Sequence, residues 1–439
     1  MTQPSSFGPV GASTVQTIGV PGTGAPGAPG AQGPQGAVAN AATHAALLAQ
    51  TGVAGTVMMV AARSTPGDGG GGRFSWRVGT PPADNGGTIR VPPSQSAGWW
   101  QMDFSGPHDV RWFGAKGDYT GDSTSAIQAA LDAAHANAFS PSAPGGAVYV
   151  PAGGYMISGP LRGYPGVRLF GDNYGSASVN GSIIQALSSF SGDSMFKMNT
   201  QSANNWGAGL ERLTFYLPNN GQGTGPLYGV DWSGVIAGTI RGLTVRTANG
   251  IMRSNCAGLY FSGDSGNVPD NTHCYSNLIE TVNIDLVSTA LRCKTDSVGG
   301  MTLCCFLNIY LQQCDVAIDL ITNGAGLGVM FMNGYVNPNS GGKLVKVTGG
   351  NTTPTLQVPF HNIQWETAGN PTSDLPVING VLASFHGSNE PAPTVVCEGM
   401  IAQYDERRIL QPYPGSMLGQ SAATPMLPTS TNFAGSLRW

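Results

Sequence analysis

Between about residue 208 and residue 366 one short pattern recurs: apolar-x-x-apolar-x-apolar. It reads Leu210-Glu211-Arg212-Leu213-Thr214-Phe215, then Ile240, Leu243, Val245; Ile279, Val282, Ile284; Phe306, Ile309, Leu311; and Phe360, Ile363, Trp365 at the same offsets. A shorter apolar stretch follows an Ala or Gly, as at Gly250-Ile251, Ala290-Leu291 and Ala317-Ile318. Matching apolar positions lie eight or nine residues apart, and the whole unit recurs at roughly 26–39 residues. A period in that range means stacked units that cannot bury a core alone. Alternation inside each unit has period two, so the unit is a β-coil and not a helical repeat. Propeller blades need four antiparallel strands each, and these units are too short for most blades.

Residues 111–172 supply a beginning for such a stack. A Gly/Asp turn, FGAKGDYTGDST, feeds an Ala-rich helix over 124–138, and a Gly-Gly turn leads to the apolar strand Ala147-Val148-Tyr149-Val150. Ser123 or Thr124 is placed to cap the helix by accepting from backbone N–H groups. Ala126, Ile127, Ala130, Leu131 and Ala134 share one helical face. That face suits the open end of a coil stack, which otherwise exposes apolar core and unpaired strand edge. Asp118 and Asp122 read as turn and cap chemistry before they read as a metal or catalytic pair.

This order, FGAKGD…GDSTSAIQAA…GGAVYVPAGGY, resembles the entry module of the pectate-lyase-like, right-handed parallel β-helix proteins. In that family two adjacent acids precede the Thr; here the second is Ser123, which weakens an acid-cluster reading further. The resemblance implies an all-β fold, a right-handed parallel β-helix with one N-terminal capping helix. It does not fix a reaction, because lyases, hydrolases and non-enzymatic binders share the module.

Upstream, Gly24, Gly27, Gly30, Gly33 and Gly36 recur at strict period three in GAPGAPGAQGPQG. Gly at every third place is what the crowded axis of a collagen triple helix requires. Five triplets are too few to hold three chains alone, so the alternatives are a flexible Pro/Gly linker or a stalk held by a larger trimer. Val38 to Gln50 reads as a short helix. Thr56–Ala62 and Phe74–Val78 read as strands around the Gly-Asp-Gly turn of GDGGGG, which lacks the Lys-Ser/Thr of a phosphate loop. The run from PGDGGGG through DNGGT to GWW resembles the connector of bacteriophage tailspike and tail-fibre proteins. The expected divisions are an attachment arm at 1–23, a collagen-like stalk at 24–37, a short helix and β-rich connector at 38–105, the β-helix body at 106–400 and an extended tail at 401–439.

Only 10% of residues are charged and the net charge is −4, so there is no basic footprint for nucleic acid. The first residues show no basic region followed by an apolar one, so no signal peptide is read. Val53 to Ala62, the longest apolar run, is too short to span a bilayer. Seven cysteines lie between Cys256 and Cys397 without a CxxC pair. Cys256, Cys274, Cys293 and Cys314, about one per coil, read as reduced, buried residues and not metal ligands. No metal or other cofactor is expected.

Alternation puts Asp285, Asp319, Tyr260 and Tyr310 on the outer side of their strands, with Trp365 and Glu366 ending the last clear repeat. Outward aromatics and acids suit sugars: rings cover apolar sugar faces and carboxylates accept from hydroxyls. Tyr260, Tyr310, Trp365 and Glu366 are the expected substrate-binding residues. Glycoside hydrolysis wants two carboxyl groups about 5–10 Å apart, and Asp285 and Asp319 are the weak candidates for that pair; solvated surface acids are the plainer reading. The resemblance implies a homotrimeric virion tailspike or tail-fibre protein, made in the host cytoplasm. It would dock to phage tail or baseplate proteins by its arm and bind a host-surface polysaccharide, without membrane insertion. The alternatives are a depolymerase that cleaves that glycan, a purely structural adaptor or decoration protein, and a secreted pectate-lyase relative.

Overall fold

The computed structural model describes residues 39–411, apart from residue 94 and the segments 139–145, 175–180, 199–204, 219–226, 249–251, 264–272, 297–298, 323–325, 340–342, 350–355, 367–393, 399 and 405–406. From residue 356 onward the backbone path alone is described. The arm, the collagen-like triplets and residues 412–439 lie outside the described residues.

From Asp118 to Glu366 the chain is a parallel β-helix. Strand after strand pairs in parallel with the strand one coil on. Leu210 pairs with Ile240, Ile240 with Ile279, Ile279 with Phe306 and Phe306 with Phe331. All five are fully buried. A second buried row runs Phe215, Val245, Ile284, Leu311, Val336. A shorter parallel sheet closes the coil with the row Val230, Leu259, Leu291, Ile318. These rows meet in one continuous core.

The repeated motif explains its own geometry. Two apolar residues separated by two others cannot both face inward along a straight strand. The second intervening residue therefore turns left-handed: Arg212, Gly242, Thr281, Asn308 and Asn333 have φ of 52°, 60°, 55°, 54° and 50°. The five sit at one register position and form a stacked corner. Gly242 is the one that must stay small, since a Cβ there would stand 2.9 Å from the Tyr174 ring. Gly207, Ala237, Ser276 and Leu303 make a second left-handed corner.

The helix Thr124–Ala138 covers the N-terminal end. Ile127, Ala130, Leu131 and Ala134 are fully buried in the same core as the first coils. Asp122 accepts from the Thr124 backbone N–H at 2.9 Å, whereas the Ser123 hydroxyl accepts from Lys116 N–H at 3.2 Å. Asp118 likewise accepts from Thr120 N–H, at 2.9 Å. Both acids therefore hold turns.

Residues 39–102 form a separate five-stranded sheet with its own core of Met58, Val60, Phe74, Trp76, Trp100 and Met102. The helix expected over Val38–Gln50 is shorter. Ala39–Thr43 is a strand in parallel register with Met58–Ala62, and only His44–Leu48 is helical. Thr43 caps it by accepting from Ala46 N–H at 3.2 Å. The free edge beside Met58–Ala62 outweighs the helix preference of the Ala-rich run. The GDGGGG turn packs on the β-helix entry: a Cβ on Gly70 would stand 2.6 Å from the Arg111 carbonyl oxygen. The strands Met400–Tyr404 and Arg407–Gln411 pair as an antiparallel hairpin.

Candidate functional site

Two rows on the outer face of the long sheet carry polar side chains in register. One runs Tyr216, Arg246, Asp285, Gln312, Asn337; the other runs Thr214, Thr244, Asn283, Tyr310, Tyr335. Neighbours along a row are one rung, about 4.8 Å, apart. Core rows flank both, so each of these residues alternates with an inward one.

Tyr310 is 39% exposed, the most open side chain of the ten, and its ring stacks on Tyr335 with centroids 4.6 Å apart and planes 14° off parallel. The Asn337 amide donates to the Tyr335 hydroxyl at 3.2 Å and steadies the second ring. Beside this platform Arg246 Nη2 pairs with Asp285 Oδ2 at 3.2 Å. Burial pushes the Asp285 carboxyl above its usual range, and the Arg246 charge opposes that without cancelling it. Asp285 Oδ1, Asn283 Oδ1 and Thr244 Oγ1 are buried without a hydrogen-bond partner. An unmet buried polar atom costs about 1–3 kcal/mol, so three within two rungs are a local cost beneath this face.

The short sheet holds a second arrangement. Its outer row runs Lys197, Asp231, Tyr260, Arg292, Asp319, Lys346. Arg292 Nε donates to Asp319 Oδ2 at 2.9 Å, and Tyr260 stacks on Tyr228 with centroids 4.4 Å apart. Here the ring is covered: Tyr260 is 3% exposed and Asp319 2%. Burial pushes the Asp231 carboxyl up to about 6, against the Ser233 hydroxyl and N–H it accepts from, with the Asp193 charge adding to the rise. Burial also works against ionisation of Asp193, but the Lys197 ammonium 2.9 Å away outweighs it and holds that carboxyl below its usual range.

Among the residues expected from sequence, Asp285 and Tyr310 fall together on the long sheet, and Asp319 and Tyr260 on the short one. Asp285 has Arg246 and Gln312 as register partners, and Asp319 has Arg292 and Lys346. The two acids are thus not on hydrogen-bonded strands of one sheet. Trp365 pairs in register with Val336, and Glu366 with Gln403; their side chains lie outside the described residues. Arg246, Asn283, Thr244 and Tyr335 escaped sequence reading, as did Asp231. The signal was a shared offset: Arg246, Asp285 and Gln312 each stand three places after Leu243, Val282 and Ile309.

Cys256, Cys274, Cys293 and Cys314 are buried but do not make one stack. Cys256 pairs in register with Leu227, and Cys293 with Phe261. Cys274 and Cys304 share the Asn277 amide, which donates to their sulfurs at 3.4 and 3.6 Å. Among the described residues no three His, Cys, Asp or Glu side chains are grouped to hold a metal ion. No helix among them is long and apolar enough to cross a membrane.

Residues 108–342, just over half of the chain, match the model of the family described as rhamnogalacturonase A/epimerase, pectate lyase-like. A mannuronan C5-epimerase of Azotobacter vinelandii, AlgE3, is 55% identical over 58 residues, which is 13% of this chain and 3% of that protein. Alginate lyase 7 of the same organism is 54% identical over 52 residues, 12% of this chain and 5% of the lyase. The chain thus spans only a few per cent of the length of these curated relatives. Among solved structures, tailspike protein 2 of bacteriophage CBA120 (enzymatically active domain) has a TM-score of 0.45 at 14% identity, over 83% of this chain and 57% of that one. The tailspike of Acinetobacter baumannii phage AM24 has a TM-score of 0.46 at 17% identity, over 82% and 61%. A tailspike from another Acinetobacter baumannii bacteriophage, a capsular polysaccharide depolymerase, has a TM-score of 0.41 at 14% identity, over 83% and 69%.

Proposed function

Because the chain belongs to the rhamnogalacturonase A/epimerase, pectate lyase-like family, we propose that it binds a polysaccharide across the outer face of the long sheet, as a tailspike or tail-fibre protein of a phage virion. The observation that carries the binding is the exposed, stacked Tyr310–Tyr335 platform beside the half-exposed Gln312 and Asn337 amides. A ring pair covers the apolar face of a sugar while neighbouring polar groups fix its hydroxyls. The virion role rests on the connector-like run and the collagen-like triplets ahead of it. In this reading three chains assemble, the arm docks to the tail, and the β-helix meets a host-surface glycan. Trp365 is the register partner of the inward Val336, so Glu366, one place on, and not Trp365 extends the outer row of the proposed binding face.

The test is binding of the full chain to purified capsule and lipopolysaccharide, with Tyr310→Ala beside it. Glycan binding that weakens in the variant supports the reading. Binding that ignores Tyr310 sinks this face as the site. Light scattering addresses assembly: a stable monomer would end the trimeric spike and the stalk together.

A second reading, a depolymerase, is favoured by Asp231 and Asp193. Their environments push two carboxyl groups apart in acidity, the usual arrangement for a general acid with an ionised partner. Shortened glycan chains after incubation, abolished by Asp231→Asn, would establish it. Asp285→Asn and Asp319→Asn test the two acids expected from sequence in the same assay. A spike that only binds, or a purely structural virion component, would release no fragments in any of them.

A further inference from the structure

We infer that the long-sheet face selects neutral sugars and rejects uronates, and that the Arg246–Asp285 pair is the device that does so. The inference rests on the reading of this face as a glycan site and names the chemistry of its ligand.

Among the described side chains of the two rows, Arg246 is the one cation, and its guanidinium is already held by Asp285 at 3.2 Å. Among these described side chains a sugar carboxylate arriving beside Tyr310 would therefore find no unpaired cation. It would instead meet the Asp285 carboxylate, which already holds the Arg246 charge. A second carboxylate beside Asp285 is disfavoured, because the one cation there is already neutralised and the two like charges repel. A neutral sugar meets the opposite situation. Its hydroxyl and N-acetyl groups bond to the half-exposed Gln312 and Asn337 amides, which donate and accept without charge. Its apolar face rests on the Tyr310 ring. Discrimination of this kind works as much by repulsion of the wrong ligand as by attraction of the right one.

The experiment uses the full chain with fluorescent oligomannuronate as the acidic probe and N-acetylglucosamine and mannose oligomers as neutral probes, at low and at moderate salt. Wild type should show no saturable binding of oligomannuronate. Asp285→Asn leaves the shape of the face and frees the Arg246 guanidinium. It should gain oligomannuronate affinity by about tenfold or more, as a new charge-assisted pair implies, and the gain should shrink with salt. Gln312→Lys adds a cation one rung from Asp285 on a half-buried position and should give a gain in the same direction, so the inference does not hang on one variant. Thermal unfolding of each variant identifies any that fails to fold. Saturable binding of oligomannuronate by wild type, weakened by Arg246→Gln, would overturn the inference. So would folded Asp285→Asn and Gln312→Lys proteins that gain nothing. A protein that holds no neutral oligomer, yet gains oligomannuronate in both variants, keeps the charge argument and loses the glycan reading beneath it.

Discussion

The two sheets build the same group of side chains twice. On the long sheet, Arg246–Asp285 stands beside the Tyr310–Tyr335 stack; on the short sheet, Arg292–Asp319 stands beside the Tyr228–Tyr260 stack. The ion pairs are alike, with carboxylates almost fully covered and guanidinium groups about a quarter exposed. The tyrosines are not alike: Tyr310 is 39% exposed and Tyr260 3%. In a coil stack each side chain has neighbours one rung above and below, so charges meet in register and rings stack in register, as Tyr310–Tyr335 do, or out of it, as Tyr228–Tyr260 do, whatever their purpose. An Arg–Asp pair or a ring stack on such a fold is therefore no mark of a site by itself. What separates a brace from a binding face is whether the ring remains open to a ligand.

The largest effects should be shared by the two faces. Asp285→Ala and Asp319→Ala each strand a partly buried arginine, and each should cost about 3 kcal/mol in denaturant unfolding. Tyr260→Ala should cost a similar amount, because it removes a buried ring and leaves its space unfilled. A Tyr260→Ala protein as stable as wild type would break the comparison, since the short-sheet ring would then be no brace.

Acidity sharpens the contrast next. The Asp231 carboxyl titrates near 6 in the folded chain, against about 3.9 when unfolded. The folded state therefore holds the extra proton between those values. The stability this lends is complete below about pH 4 and is lost as pH rises through about 6. Asp231→Asn keeps the acceptor for Ser233 and never ionises. It should be more stable than wild type above pH 6, by about 3 kcal/mol, with the advantage gone below pH 4. Unfolding curves for both proteins across pH 4–8 decide it, and a difference that does not change with pH would mean Asp231 is not desolvated.

Much of this was readable in the sequence for a physical reason. The spacing of Leu210, Leu213 and Phe215 encodes both the strand and its corner, because only a left-handed residue at 212 lets all three face inward. Alternation also placed Asp285 beside the inward Ile284, and Asp319 between the inward Ile318 and Leu320. It did not say which sheet each strand would join, because that depends on where the chain turns between Asp285 and Val287, at Leu286 with φ 59°. Nor did it give exposure. Tyr260 and Tyr310 follow the same local rule, and what covers one and not the other comes from residues distant in sequence. Ala39–Thr43 failed as a helix for the same cause: local propensity was sound and a neighbouring strand edge outweighed it.

The smallest effect is the most telling. Tyr310→Ala removes an open ring whose loss creates no buried void, so unfolding stability should move by less than about 1 kcal/mol. Glycan binding should fall by about 1 kcal/mol or more, roughly fivefold, since stacking is among the few large favourable contributions at a polar ligand. Tyr335→Ala should behave between the two classes, because its ring supports Tyr310 from one rung away and is itself held by Asn337. Tyr260→Ala, refolded or stabilised by salt, should leave the affinity of the surviving folded protein unchanged. Calorimetric titration of all three variants against the same capsule fragment measures the separation. If Tyr260→Ala weakens binding as much as Tyr310→Ala does, the covered ring is transmitting to the open face, and brace and platform are one site and not two.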